Sequence, residues 1–191
     1  MDPSEIDRRP TDETIARLYA LDGRLRLMFE HLLSPAMRAR VEPDDLAQEV
    51  WLRLISRPGR VPPPDQGDEA LWAYVRAVAR NTVVDLARHM RAARRDGKLQ
   101  TLDRSTWSNH PDLQLPAGGP GPATQAVGAE AGERLVAAFG GLDPEHRRVI
   151  GLRQFEGLDA RATAARMGRS ETAVHSLYRR ALAAWDEASN R

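Results

Sequence analysis

Thr172, His175, Ser176, Arg179 and Arg180 recur at helical spacing and carry hydroxyl, imidazole and guanidinium groups. On the outward face of one helix, such groups supply what is needed to read base edges and hold phosphates in a DNA groove. Two further sets have chemistry of their own. The carboxylates of Asp44, Asp45 and Glu49 fall about one helical turn apart, so they can meet a basic surface on a partner. Arg76, Arg80, Arg88 and Arg91 recur along a third segment with Asn81 among them, a supply of charge and polar edges. The three carboxylates could also hold a metal in a nuclease-like site. No nucleophile, general base or glycine-rich phosphate loop accompanies them, and the chain has no cysteine and 5 scattered histidines. No catalytic residue, metal or cofactor is therefore expected, and the chain is not read as an enzyme.

The outward set needs a helix placed against a second one. Asp159 to Met167 is a run of good helix formers, which Gly168 ends because glycine enters the left-handed region at little cost. Ser170 then caps the next helix, and Glu171 puts a negative charge at its positive end. Val174, Leu177, Tyr178 and Ala181 form the inner face, and the small Ala164 lets the two helices cross closely. The segment from Leu158 to Ala181 thus reads as a helix-turn-helix, whose second helix usually lies in the major groove. An ordinary helical hairpin with solvated arginines is the alternative at this point.

Elsewhere the pattern is also helical. Residues 11–33 predict one helix through Ile15, Leu18, Leu21, Leu25, Met28, Phe29 and Leu32. Pro43, Asp44 and Asp45 open a second, with Leu46, Val50, Trp51, Leu54 and Ile55 apolar. Residues 57–67, rich in proline, predict a loop, and a long helix follows from about Asp68 to Arg95. Its stripe of Leu71, Trp72, Val75, Val78, Ala79, Thr82, Leu86 and Met90 points to the core, so Trp72 is a core residue rather than a stacking platform. Prolines and glycines over 99–128 predict a flexible linker. Helical patterning resumes near Ala129, ends at Gly140-Gly141, and restarts at Leu142-Asp143-Pro144-Glu145. The expected fold is all-α: two small helical domains, 1–98 and 129–191, joined by that linker.

The net charge of +1 conceals two basic blocks. Residues 70–98 hold 7 basic and 2 acidic residues, and 145–182 hold 8 and 4, with acidic stretches around them. Such blocks attract phosphate backbones. No apolar run approaches the roughly 18 residues a membrane span needs, and no signal-peptide pattern is present, so a cytoplasmic protein without membrane insertion is expected.

In combination these segments resemble bacterial sigma factors. Asp45-Leu-Ala-Gln-Glu49-Val-Trp-Leu-Arg-Leu54 is similar to the acidic helix that grips core RNA polymerase. Val78-Ala-Arg-Asn81, followed by Asp85 and Arg88, resembles the helix that melts and holds the −10 element of a promoter. Leu142-Asp-Pro-Glu-His-Arg-Arg-Val-Ile150, with the helix-turn-helix behind it, resembles the domain that reads the −35 element. The short linker leaves no room for the middle domain of housekeeping members, so the likeness is to the extracytoplasmic-function group. The resemblance implies a non-catalytic factor whose partners are core RNA polymerase, promoter DNA and, as is typical of the family, an anti-sigma factor.

It also implies roles for residues. Asp44, Asp45, Gln48, Glu49 and an exposed Arg53 would contact the polymerase, although Asp44 and Asp45 also serve their own helix dipole. Arg76, Arg80, Asn81, Arg88 and Arg91 would hold the melted −10 strand, with the loop 57–70 as the lip of a base pocket and Asn81 reading the base. Glu171, Thr172, His175, Ser176 and Arg179 would face −35 bases, with Arg169 and Arg180 on the backbone. Arg147 and Arg148 either face phosphate or solvate their helix. The chain departs from the family at Ala162-Thr163-Ala164, at Leu177-Tyr178, and at Tyr74, where tryptophan is favoured. A helix-turn-helix regulator of another class, not a polymerase subunit, is the competing reading. It would need a receiver or ligand-binding domain, and the front half lacks β-α alternation.

Overall fold

The structure, a computed structural model, describes residues 12–95 and 122–191. Among them every regular element is helical and none is a strand, so the fold is all-α. The chain divides between Gly128 and Ala129 into two compact units. Residues 99–121 of the expected linker lie outside the described residues. Its last part, 122–128, belongs instead to a helix, Pro122–Gly140, that starts earlier than Ala129. A proline in the first turn followed by alanines is compatible with that earlier start.

The first unit contains α1 (Asp12–Tyr19), α2 (Asp22–Leu32), α3 (Pro35–Arg38), α4 (Pro43–Ile55) and α5 (Gly67–Arg95). One helix was expected over 11–33, and the structure has two. A tight bond from Leu21 N to Leu18 O (3.0 Å) turns the chain so that Leu18 and Leu21 are both buried. The new helix starts at Asp22, whose carboxylate accepts from Trp51 Nε1 (2.8 Å) and Arg26 Nε (2.6 Å). Helices α2, α4 and α5 pack on one another and bury Leu25, Met28, Phe29, Leu46, Val50, Leu54, Leu71, Trp72 and Leu86. Between α4 and α5 the proline-rich stretch makes two short 3-10 turns, Pro58–Arg60 and Pro64–Gln66. Gly67 takes a positive φ of 78° there, which a side chain would strain. Arg17 of α1 pins this stretch from Nε to Asp68 Oδ1 (3.1 Å), from Nη1 to Pro62 O (3.4 Å) and from Nη2 to Gly67 O (3.1 Å).

The second unit contains α6 (Pro122–Gly140, its N-terminal turns preceding the boundary), α7 (Pro144–Ile150), α8 (Ala160–Met167) and α9 (Glu171–Ser189). Asp143 caps α7 by accepting from Glu145 N (2.8 Å). Past Ile150 the helix widens into a π turn over Gly151–Phe155, closed by Glu156 N on Gly151 O (2.9 Å), and Leu152 and Phe155 stay buried. Phe139, Phe155 and Trp185 form an aromatic cluster with ring centroids 5.2–6.5 Å apart. Trp185 Nε1 donates to Leu135 O (3.1 Å), so its polar edge is satisfied inside the core.

Candidate nucleic-acid interface

The first unit holds a cleft of about 570 Å³ lined by Arg53, Arg57, Arg60, Tyr74, Ala77, Val78 and Asn81. Three elements build it. Tyr74, Ala77, Val78 and Asn81 are spaced at three and four along α5 and so share one face. Arg57 and Arg60 flank the Pro58–Arg60 turn, and Arg53 comes from the last turns of α4. Three guanidinium groups, a half-buried phenol, two apolar side chains and an exposed amide suit a flat polar ligand that carries negative charge.

Of the five residues expected to hold a melted strand, only Asn81 lies in this cleft. At about 100° per residue, Arg80 and Arg91 point to a neighbouring side of α5 and Arg76 lies further round, while Arg88 follows Asn81 on the same side. Arg80, Asn81, Arg88 and Arg91 are exposed and Arg76 is half-buried. Arg88 Nη1 donates to Asp85 Oδ1 (3.4 Å). Trp72 is fully buried, with Arg24 stacked 4.6 Å from its ring centroid, which makes it a core residue. Arg57 and Arg60 were not among the expected contacts. Their signal in the sequence was the Arg-Pro-Gly-Arg run, two cations held apart by a turn dipeptide.

The acidic helix differs from expectation. Asp44, Asp45 and Gln48 are exposed on α4, but Glu49 is not on their side: it is 0% exposed. Arg53 was expected at the surface too, yet only 15% of its side chain is accessible. The pair turns inward because Arg53 Nε bonds Glu49 Oε1 (2.8 Å) and Nη1 reaches Thr82 Oγ1 (3.2 Å) on α5. Asp85 adds a carboxylate 3.7 Å from Nη1. A lone carboxylate at this depth would be costly, and the guanidinium beside it offsets that cost. On the outer side, Asp44 is bonded by Arg26, whereas Asp45 makes no salt bridge among the described residues.

In the second unit, α8 and α9 meet at Gly168, whose φ of 66° is the expected left-handed turn. Asp159 caps α8 through Ala162 N (2.7 Å), and Ser170 caps α9 through Ala173 N (3.2 Å). The departure at Ala162-Thr163-Ala164 is accommodated: Thr163 is buried with its hydroxyl donating to Asp159 O (2.7 Å), beside buried Ala164. Leu177 is buried. Tyr178 is turned to the domain's side, with its hydroxyl accepting from Gln154 and Arg153 lying 5.3 Å from its ring centroid. Arg169, Glu171, Thr172, His175, Ser176, Arg179 and Arg180 all stay exposed. Arg169 Nη2 is bonded to both oxygens of Glu145 (2.5 and 2.6 Å), and Arg180 Nε contacts Ser176 O (3.4 Å). Arg147 and Arg148 bind protein carbonyls, Arg147 those of Gly140 (2.6 Å) and Leu142 (2.7 Å), Arg148 that of Arg166 (2.9 Å). They close helix ends.

An all-α chain with a capped helix-turn-helix in one unit and a cationic cleft in the other defines a nucleic-acid-directed class. Residues 7–190 match the family described as ECF sigma factor, and the chain belongs to that family of transcription initiation factors. No curated protein and no solved structure matches it. Among the described residues no helix is long and apolar enough to cross a membrane, and no group of three acidic or histidine side chains is placed to hold a metal ion.

Proposed function

We propose that this protein binds core RNA polymerase and directs it to promoters by two separate contacts with DNA, with no catalysis of its own. The N-terminal unit, assigned to residues 1–98, acts as the polymerase-docking and −10 domain. Exposed Asp44, Asp45 and Gln48 are its docking face, and Glu49 and Arg53 are withdrawn from that face because they are packed inside. The cleft at Asn81 receives a base extruded from the non-template strand, and Arg76, Arg80, Arg88 and Arg91 run along the sugar–phosphate chain outside it. The C-terminal unit, 129–191, lays α9 in the major groove of the −35 element. Thr172, His175, Ser176 and Arg179 then face bases, and Arg169 and Arg180 face phosphates. An anti-sigma factor is the regulatory partner that this family reading adds.

The observation that carries this reading is the cleft, which joins Asn81 to three arginines and an aromatic ring within one small unit. A helix-turn-helix regulator would have no use for it. Adding the purified chain to core polymerase and mapping transcript starts genome-wide tests the proposal. New start sites sharing two spaced elements are expected, together with co-purification with polymerase. Unchanged start sites and no co-purification would overturn it.

A further inference from the structure

Arg57 and Arg60 stand at the two ends of one turn. Arg60 N bonds Arg57 O (3.0 Å), which closes the 3-10 turn over Pro58–Arg60. Side chains three residues apart in such a turn stand nearly one above the other, and both of these line the cleft. Both are exposed, and among the described residues neither has a salt bridge or a side-chain hydrogen bond. The lining of the cleft includes no carboxylate. Its third cation, Arg53, already has Glu49 at 2.8 Å and Asp85 at 3.7 Å. The uncompensated charge of the cleft therefore lies on the turn. Two like charges on one short turn repel each other, and an anion shared by them relieves that repulsion. The part of the cleft built by α5 has a different character: Tyr74, Ala77, Val78 and Asn81 offer a ring, apolar surface and an amide. That part suits a base, and the turn suits the phosphate beside it.

We propose that Arg57 and Arg60 jointly hold one phosphate group of the strand, the one next to the base that enters the cleft. This rests on the reading of the cleft as the −10 strand site. A guanidinium binds phosphate through paired N–H donors, so two of them can share the oxygens of a single group. Contacts of this kind fix position and carry no sequence information. The turn thus seats the nucleotide and leaves the reading of its base to α5.

The test uses the full chain assembled with core polymerase and a series of fork-junction DNAs carrying a promoter mapped for it. Each DNA has one neutral methylphosphonate linkage in its single-stranded non-template −10 segment. Affinities are measured for the natural chain, for Arg57→Gln, for Arg60→Gln and for the double variant. Neutralising one particular linkage should weaken the natural chain about tenfold, the scale of a hydrogen-bonded charge contact. All three variants should bind the unmodified DNA more weakly and be indifferent to that linkage. They should keep the natural sensitivity at every other linkage, and the natural base preferences. Three outcomes overturn the inference while leaving the strand reading in place. They are sensitivity that survives in either single variant, loss at different linkages in the two, and loss of a base preference with every linkage still sensitive. If no linkage of the segment is sensitive in the natural chain, the strand reading itself falls.

Discussion

A Glu–Arg pair in the first unit and one in the second are similar in length and buried to very different degrees. Glu49–Arg53 lies 2.8 Å apart with 0% and 15% of the side chains exposed. Arg169–Glu145 lies 2.5 Å apart with 38% and 54% exposed. In the first unit the pair spans α4 and reaches α5 through Thr82, so it fixes where a guanidinium stands. In the second it sits in water, which screens it and competes for both partners. A phosphate can compete with Glu145 for the exposed Arg169, whereas Glu49, with none of its side chain exposed, is shielded from such competition. Identical chemistry thus gives a rigid donor in one place and an exchangeable one in the other.

The contrast is tested most strongly by Glu49→Ala, which leaves a buried guanidinium with only the more distant carboxylate of Asp85. A loss of about 3–5 kcal/mol is expected for the first unit. Urea unfolding of the full chain, followed through amide exchange in α4 and α5, would measure it. An unchanged midpoint would mean that Glu49 is a surface residue. Next comes Arg179→Ala on the exposed face of α9, expected to cost about 1–3 kcal/mol of −35 discrimination without changing stability. Competition binding with single-base variants of a mapped −35 element provides the measurement. Asp45→Arg should weaken polymerase assembly about tenfold through like-charge repulsion, with the melting curve essentially unmoved. Fluorescence titration with core polymerase separates those two effects. The mildest is Glu145→Ala, worth less than about 1 kcal/mol of stability. By releasing Arg169 it should raise DNA affinity and steepen the logarithmic salt dependence by about one phosphate contact.

Most of the helices were legible because their signals are local. Pro43 with Asp44 and Asp45, Gly168 and Ser170 each mark a boundary through their own backbone or capping chemistry, and the boundaries fall where they should. The break at Ala20-Leu21 carries no such mark. It depends on Asp22 being claimed by Trp51 from another helix, a contact that no window of sequence contains. Glu49 was misplaced for a related reason. A glutamate beside Gln48 looks solvated until Arg53 and Thr82 are brought around it, and Thr82 arrives from α5. Trp185 lay past the end expected for the recognition helix, so the residue that closes the second core went unnoticed although its type should have drawn attention. The outward residues of α9 were legible because one helix and its apolar stripe are enough to set them. The composition of the cleft was not, because Arg53, Arg57 and Asn81 come from three elements.

Arg17 gives the first unit a property that a static description conceals. Its three bonds to 62–68 tie the proline-rich stretch that follows Arg57 and Arg60 to a short helix far back in the chain. A fluctuation that lifts one must release the other, so the two form a single opening unit rather than two independently fraying ends. Amide protons over 12–19 and 62–68 should then exchange with solvent at matched rates, and Arg17→Ala should separate those rates.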